Sequence, residues 1–418
     1  MFAKARKFLR RLGPGIITGA SDDDPSGIAT YSIAGAQANY SALWTPLFTF
    51  PLMVAIQEMC ARIGLVTGRG LAGNMRMHYP RPFLLGLTAL VVFANTLNIG
   101  ANLAGMAAAT SLVLPLPQIV LAVAFGGLML GLMIRFPYRV IANILKWLTF
   151  ALFAYVLAAL LTKQDWPSVL LHTLIPTVNL NREFLILLVA ILGTTISPYL
   201  FFWQTSEEVE ELDETGKLQK TRRVQIVTKN ELKVMREDVS IGMFLSNLVM
   251  FFIIATAASA LYQNGITQIE TVKDAAMALR PLAGEFAFLL FALGIVGTGL
   301  LSIPVLAGSV AYVVAETFGW REGFNQPFHK ARSFYGVIIV STLLGMAIPF
   351  LGIRPIHALY MTAIVYGLMS PILILILLHI SNSKHVMGEH TNGFVSNTLG
   401  VLTFLIMTGA VGAMFLFR

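Results

Sequence analysis

Charged residues and cysteine are both scarce in this sequence, and each scarcity excludes a class of protein. Only 12% of the 418 residues are charged, whereas 56% are hydrophobic, and the mean hydropathy is +0.74. A soluble enzyme needs far more polar surface, so the composition indicates a polytopic membrane protein. Cys60 is the single cysteine, which excludes an internal disulfide, a zinc cluster and an iron–sulfur centre.

About eleven apolar segments are long enough to cross a bilayer as helices. The predicted fold class is therefore an all-α polytopic membrane protein, with one transmembrane domain over 1–418. The predicted segments are 13–38, 42–66, 84–112, 117–134, 140–162, 184–205, 239–263, 283–316, 333–352, 356–380 and 395–417.

Basic residues are concentrated on one side of these segments. By the positive-inside rule, the cluster before the first segment places the N-terminus in the cytoplasm. The protein is then expected in the cell membrane, as a multi-pass protein of the bacterial inner membrane. This bias accounts for the net charge of +8 without a nucleic-acid partner. The basic cluster consists of Lys4, Arg6, Lys7, Arg10 and Arg11.

The first segment is interrupted near its middle by three carboxylates. Asp22, Asp23 and Asp24 are followed directly by Pro25, with Gly27 two residues later. A charge at the bilayer centre costs roughly 2.5–3.5 kcal/mol on insertion scales. Irregular backbone survives at that depth only where it is buried in protein or lines a cavity. These features predict an ion site centred on Asp24, with Asp22 and Asp23 as further ligands, as an acidic approach or as contacts to the ion's water.

The sixth segment is interrupted in the same way over 193–198, which also contains a proline. The first and sixth segments hold equivalent places in two halves, 13–162 and 184–380, with 395–417 as an extra helix. Because each half has five segments, an odd number, the halves have opposite orientations. This pattern predicts a 5+5 inverted repeat in which broken helices 1 and 6 meet at the membrane midplane.

The candidate ligands in both breaks are oxygen atoms. Thr194 and Ser197 offer hydroxyls beside carbonyls freed by Pro198, and neither break contains methionine, cysteine or histidine. All-oxygen sites suit hard cations such as Mg²⁺, Ca²⁺ or Mn²⁺, and Mg²⁺ usually keeps several waters beside one or two carboxylates. Both hydroxyls could instead serve ordinary helix packing.

Three other polar patterns lie outside the breaks. A stripe of asparagines (Asn95, Asn98 and Asn102) follows one face of the third segment and could line a polar path or, as we favour, hydrogen-bond across helices. Glu58 and Arg62 are four residues apart and are expected to form a structural ion pair. The polar stretch 207–238 is expected to be a solvated loop with some helix; the alternative is a regulatory or metal-sensing loop.

Several motifs resemble those of the Nramp family of divalent-metal transporters. The resemblance implies a fold like that of the amino-acid transporter LeuT and a divalent metal ion as substrate. It implies no enzyme activity and no cofactor. The expected surroundings are the lipid bilayer, and the sequence gives no sign of a protein partner. The motifs are Gly13-Pro14-Gly15, Asp24-Pro25-Ser26-Gly27, Ala34-Gly35-Ala36, Thr67-Gly68-Arg69 and, more weakly, Gly297-Thr298-Gly299.

The sequence departs from the family pattern at the metal site. The family carries Asp-Pro-Gly-Asn in helix 1 and Ala-x-x-Met-Pro-His in helix 6, with acidic residues in helix 3. Here the family's Asn falls on Gly27, its Ala on Thr194, its Met on Ser197 and its His on Tyr199, while the helix-3 acids fall near Ile99 and on Asn102. The soft ligand and the proton path are therefore missing.

This departure is similar to a divergent Nramp-related magnesium transporter branch, whose wider site takes hydrated Mg²⁺ without proton coupling. The resemblance implies a metal site of Asp24, Gly27, Thr194 and Ser197. Asp22, Asp23, Tyr199 and Asn102 would form an outer shell or approach.

Three alternative functions remain at this point. The first keeps the fold and makes the protein a proton-coupled Mn²⁺/Fe²⁺ importer. The second is an amino-acid transporter, in which Asp24 would repel the substrate carboxylate unless it bound the amine. The third is an intramembrane aspartyl protease, which needs two aspartates on separate helices, whereas here they cluster on one segment.

Overall fold

The computed structural model describes residues 13–137, 140, 152–162, 164–219 and 224–417. Within these residues the regular secondary structure is helical, with eighteen α-helices and five short 3₁₀ turns. The α-helices are α1 (Pro14–Asp22), α2 (Pro25–Ala38), α3 (Trp44–Thr67), α4 (Leu71–His78), α5 (Arg81–Ser111), α6 (Gln118–Arg135), α7 (Phe153–Leu161), α8 (Trp166–Leu174), α9 (Arg182–Thr195), α10 (Pro198–Glu214), α11 (Lys229–Ala260), α12 (Val272–Ala276), α13 (Arg280–Ala283), α14 (Ala287–Phe318), α15 (Arg332–Ala347), α16 (Pro355–Asn382), α17 (Lys384–Met387) and α18 (Phe394–Leu416).

Nine stretches of the described residues are long and apolar enough to cross a membrane. They coincide with nine of the eleven predicted segments, which confirms the all-α prediction. The first predicted segment is absent from the nine because it is divided into α1, of 9 residues, and α2, of 14 residues. The fifth, 140–162, lies partly outside the described residues, and α7 covers its later part. The N-terminal basic cluster also lies outside them.

The stretch 207–238, predicted as a solvated loop with some helix, is helical over most of its described length. α10 continues to Glu214 because the chain meets no glycine or proline before Gly216, whose φ of +69° suits a helix end. α11 then begins at a capping box formed by Thr228 and Glu231. The connection spans only 215–228, of which 220–223 lie outside the described residues.

The start of the acidic run is also buried rather than solvated. Glu207 and Glu208 are 5% and 6% exposed. This part of α10 packs against α3, where a side chain at Gly64 would overlap the carbonyl oxygen of Thr205. The close approach of the two helices therefore removes these carboxylates from solvent.

The ion pair predicted in the second segment is confirmed and is part of a larger contact. Glu58 Oε1 lies 3.9 Å from Arg62 Nη1 and 2.9 Å from Arg236 Nη2 on α11. Arg62 also donates a hydrogen bond to Asn392, before α18. The pair therefore connects α3 to two distant parts of the chain.

α1 is held at its N-terminus by a carboxylate of α11. The backbone N–H groups of Gly13 and Gly15 donate to Asp238, at 2.9 and 2.7 Å. A side chain at Gly15 or Gly19 would overlap the α11 backbone, so these glycines permit the close crossing. The carboxylate satisfies free N–H groups and offsets the partial positive charge of the helix end.

Loss of this cap is expected to destabilise the protein. Asp238→Ala should lower the free energy of unfolding by about 1–3 kcal/mol, because it leaves N–H groups without an acceptor. Thermal unfolding in detergent, followed by tryptophan fluorescence, measures the effect. Glu237→Ala is the matched control, since that side chain is 61% exposed. Equal melting temperatures for the two variants would contradict the assignment.

Candidate metal site at the two helix breaks

The two breaks have the same backbone form. Between α1 and α2, Asp23 has φ −79° and ψ 56°, and Asp24 is extended with ψ 169°. Between α9 and α10, Ile196 has φ −110° and ψ 65°, and Ser197 is extended with ψ 121°. A proline opens the second helix in both cases, where its missing N–H costs nothing. This correspondence is what equivalent positions of two repeats require.

The breaks also lie next to each other. A Cβ atom at Gly27 would stand 3.3 Å from Thr194 Oγ1. The hydroxyls of Tyr31 and Thr195 are 3.4 Å apart. Gly27 and Thr194, both predicted as site residues, are thus brought together across the contact between α2 and α9.

The Asp24 carboxylate is buried and fully hydrogen-bonded. Its Oδ1 accepts from the Ser26 hydroxyl at 2.6 Å and from the Gly27 N–H at 2.9 Å. Its Oδ2 accepts from the amides of Asn98 at 2.9 Å and Asn102 at 3.1 Å. The side chain therefore caps α2 and is also fixed to α5.

The asparagine stripe hydrogen-bonds across helices, as predicted. Besides its bond to Asp24, Asn102 donates to Ser302 on α14 at 3.3 Å. Asn98 accepts from Thr362 on α16 at 3.0 Å. Asn95 accepts from the hydroxyl of Tyr366 on α16 at 2.9 Å. The sequence predicted this kind of role but could not identify the partners.

Asp22 and Asp23 contact a residue that the sequence reasoning missed, Ser246 on α11. The Ser246 hydroxyl lies 2.7 Å from Asp22 Oδ2 and 3.2 Å from Asp23 Oδ1. Asp22 is fully buried, and its Oδ1 has no hydrogen-bond partner. The signal that could have indicated Ser246 is its polarity, together with Asn247, within an apolar stretch of the seventh segment.

Ser197 and Tyr199 both hydrogen-bond to backbone carbonyls. The Ser197 hydroxyl donates to the carbonyl of Thr194 at 2.6 Å, although it also lies near Asp22. The Tyr199 hydroxyl donates to the carbonyl of Ser21, at 3.0 Å, in the last turn of α1. Tyr199 thereby joins α10 to the first break, and its hydroxyl donates to a backbone carbonyl and not to an aspartate.

A sulfur atom lies near the second break. Met250 Sδ on α11 is 3.7 Å from Thr195 Oγ1, whose hydroxyl also lies 2.6 Å from the carbonyl of Ile191. The breaks themselves contain no methionine, cysteine or histidine, but their surroundings include this thioether. Spacing along the sequence could not place it there.

Within the described residues, no lysine, arginine or histidine forms an ion pair with the three aspartates. In the same part of the chain, no three His, Cys, Asp or Glu side chains converge closely enough to hold a metal together. Asp24 therefore points toward the asparagines of α5, whereas Asp22 and Asp23 both point toward Ser246 on α11. Ligation at either break would combine one or two carboxylates with neutral oxygen atoms and water.

Both breaks are closed to the protein surface. Asp22, Asp23, Asp24, Thr194 and Ser197 are at most 4% exposed. A cavity of about 520 Å³ lies near the N-terminus of α1, and another of about 220 Å³ lies beyond the C-terminus of α2. Neither of these two cavities includes a residue of either break.

The chain matches the family model for natural resistance-associated macrophage protein-like (Nramp) proteins over residues 15–417. It is 27% identical over 404 residues to the divalent metal cation transporter MntH of Caldanaerobacter subterraneus subsp. tengcongensis, covering 95% of this chain and 90% of that protein. It is 29% identical over 398 residues to MntH of Klebsiella pneumoniae subsp. pneumoniae, covering 93% and 89%.

Solved structures share the fold. The manganese transporter of Eremococcus coleocola superposes with a TM-score of 0.75 at 19% identity, covering 96% of this chain and 85% of that one. Mhp1, a nucleobase-cation-symport-1 family transporter, superposes with a TM-score of 0.58 at 13% identity, covering 96% and 92%. These likenesses confirm the predicted LeuT-like architecture, and the family match over nearly the whole length shows that the chain belongs to the Nramp family.

Proposed function

We propose that the protein transports a hard divalent cation, with Mg²⁺ as the preferred ion, through the site at the two helix breaks. The observation that carries this proposal is the burial of three aspartates at the first break without a basic partner in the described residues. Uncompensated buried carboxylates cost several kcal/mol each, and a divalent cation compensates two of them. The names of the relatives, which are divalent metal cation transporters, support the same substrate class.

The preference for Mg²⁺ rests on the chemistry of the groups at the breaks. Asp24 is the charged ligand, and Gly27, Thr194 and Ser197 contribute carbonyl and hydroxyl oxygens or leave space for water. Hard oxygen donors favour Mg²⁺ over softer ions. Few charged ligands also suit an ion that gives up its water reluctantly. Asn102 and Tyr199 serve as outer contacts.

The second candidate is a proton-coupled importer of Mn²⁺ or Fe²⁺. The Met250 thioether, 3.7 Å from Thr195 Oγ1, is the observation that favours it. A thioether at the site would favour softer ions. Met250→Leu keeps the side-chain volume and removes the sulfur, so a selective loss of Mn²⁺ uptake in this variant would support the second candidate.

Uptake into proteoliposomes decides between the two candidates. Mg²⁺, Mn²⁺ and Ca²⁺ are offered separately to liposomes that contain the purified protein and an internal pH dye, with protein-free liposomes as the control. We expect Mg²⁺ entry that depends on the protein. Entry of Mn²⁺ without entry of Mg²⁺ would overturn the choice of ion, and no entry of any of the three would overturn the transport proposal.

Position 197 is expected to set the preference between hard and soft ions. Ser197→Met introduces a thioether at the second break, and competition by Cd²⁺ or Mn²⁺ against Mg²⁺ uptake should increase by about tenfold, or 1.4 kcal/mol. Ser197→Leu is the matched control, since it adds similar volume without sulfur. An ion ranking that is unchanged, or that changes equally in both variants, would mean that position 197 does not face the ion.

A further inference from the structure

We propose that Asp22, Asp23 and Ser246 form a second cation position beside Asp24, which holds the divalent ion while Asp24 is still engaged by its hydrogen-bond donors. This inference rests on the proposed function and deepens it. It assigns separate positions to the aspartates of the first break and adds a residue of α11 to the site.

The hydrogen bonds of Asp24 occupy all of its acceptor positions. An ionised carboxylate offers about four lone-pair positions, and Asp24 receives four donors, from Ser26, Gly27, Asn98 and Asn102. The hydrogens of these donors point at the oxygen atoms that a cation would need. Asp24 can bind an ion only after the amides of Asn98 or Asn102 turn away, so in this structure its oxygen atoms are not free for a cation.

Asp22 and Asp23, unlike Asp24, have fewer hydrogen-bond donors than their carboxylate oxygens can accept. Ser246 has one hydroxyl hydrogen for two carboxylate oxygens, at 2.7 and 3.2 Å. Asp22 Oδ1, which is completely buried, has no hydrogen-bond donor, because the nearby Ser197 hydroxyl donates to a backbone carbonyl. A buried acceptor without a partner costs about 1–3 kcal/mol, and neighbouring carboxylates also repel each other. A cation between them would remove both costs.

The chemistry of this position fits a hard divalent cation. Two carboxylates supply a charge of −2, and the Ser246 oxygen becomes a neutral ligand when its hydrogen turns away. One or two carboxylates with water are the usual protein ligands of Mg²⁺. A monovalent ion would leave one of the two charges uncompensated.

The surroundings also connect this position to the larger cavity. Thr18 lies one helical turn before Asp22, on the same face of α1. Its hydroxyl is 2.5 Å from Gln204 Oε1, and the amide of Gln204 donates to Glu208 at 2.9 Å. Glu208 and Asp238 line the cavity of about 520 Å³. The second position therefore stands between Asp24 and this cavity, at the start of a row of oxygen-bearing side chains.

The test measures Mn²⁺ binding to the purified full-length protein in detergent by electron paramagnetic resonance, with Mg²⁺ as competitor. We expect Asp24→Asn to retain Mn²⁺ binding that Mg²⁺ displaces. Asp22→Asn and Asp23→Asn should each weaken that binding by about a hundredfold, and Ser246→Ala, which removes one neutral ligand, by about tenfold. Ser246→Thr, which restores a hydroxyl, should recover affinity, whereas a purely structural role would not require the hydroxyl.

The outcomes separate this inference from the proposed function. If the wild-type protein transports Mg²⁺ but Asp24→Asn abolishes all binding, the second position is wrong and the function stands. Wild-type affinity in Asp22→Asn, as expected if the pair merely shares a proton, would also overturn it. Absence of divalent binding and of uptake by the wild-type protein would overturn the function itself. If Asp22→Asn fails to fold, Mn²⁺ binding by Ser246→Ala tests the second position, and unchanged affinity in that variant would overturn it.

Discussion

Asp24→Asn is expected to reduce Mg²⁺ uptake by about a hundredfold, equivalent to about 2.8 kcal/mol, while leaving a folded protein. The asparagine keeps the shape and one oxygen acceptor, so one side of the hydrogen-bond set survives. Its amide nitrogen, however, must face donors, either Ser26 and Gly27 or Asn98 and Asn102. The loss of the charge removes the attraction for the ion, and the mismatch disturbs the geometry of the break.

The measurement is initial-rate uptake of Mg²⁺ into proteoliposomes, with the amount of reconstituted protein determined for each variant. Glu237→Gln provides the matched control, because it neutralises a carboxylate that is 61% exposed on α11. Size-exclusion elution and thermal unfolding show whether Asp24→Asn is folded. Near-normal uptake by a well-folded Asp24→Asn protein would remove Asp24 from the site.

The breaks could be predicted from the sequence because their signals are local. An aspartate before Pro25 and the matching Pro198 five segments later are visible without any tertiary information. Segment lengths likewise follow from composition. The same local reasoning identified the asparagine stripe, because residues three and four apart share a helix face.

The partners of these residues could not be predicted, because they come from distant parts of the chain. Ser246 is separated from Asp22 by 224 positions, and Asn98 from Asp24 by 74. Contacts between residues so far apart produce no periodic pattern in the sequence. The sequence therefore distinguished Asp24 from Asp22 and Asp23 but could not show that Asp24 contacts α5 while the other two contact α11.

The predicted exposure of the acidic run after the sixth segment is wrong at its start for a different reason. Its charge suggested exposure, yet Glu210 accepts from the Tyr312 hydroxyl and from the Phe324 N–H. Carboxylates are buried when tertiary donors satisfy them. The helix signals were present, because Thr228 and Glu231 have the spacing of a capping box and Gly216 can end a helix. These caps predict the two helices, whereas the charge of the run predicts exposure.

Mg²⁺ entry is expected to depend on the membrane potential and not to carry protons. A proton relay needs groups that gain and lose protons along the path. The Asn98 and Asn102 side chains cannot do so, and both donate to Asp24. Tyr199 donates to the carbonyl of Ser21, and a phenol ordinarily titrates near pH 10. Asp22 can accept a proton, but in the described residues the row from Asp22 toward Glu208 passes through Thr18 and Gln204, which do not titrate.

The driving force would then be the Mg²⁺ gradient and the potential. An inside-negative potential of 100 mV is worth about 2.3 kcal/mol per charge, hence about 4.6 kcal/mol for a divalent ion, which corresponds to more than a thousandfold accumulation at equilibrium. Liposomes with a potassium-diffusion potential and an internal pH dye should show accelerated Mg²⁺ entry at constant internal pH. An imposed pH gradient without a potential should leave the rate unchanged. Acidification that requires Mg²⁺ and persists after correction for proton leak would instead place this protein with proton-coupled importers, and Asp22 and Asp23 would be the first residues to test as proton carriers.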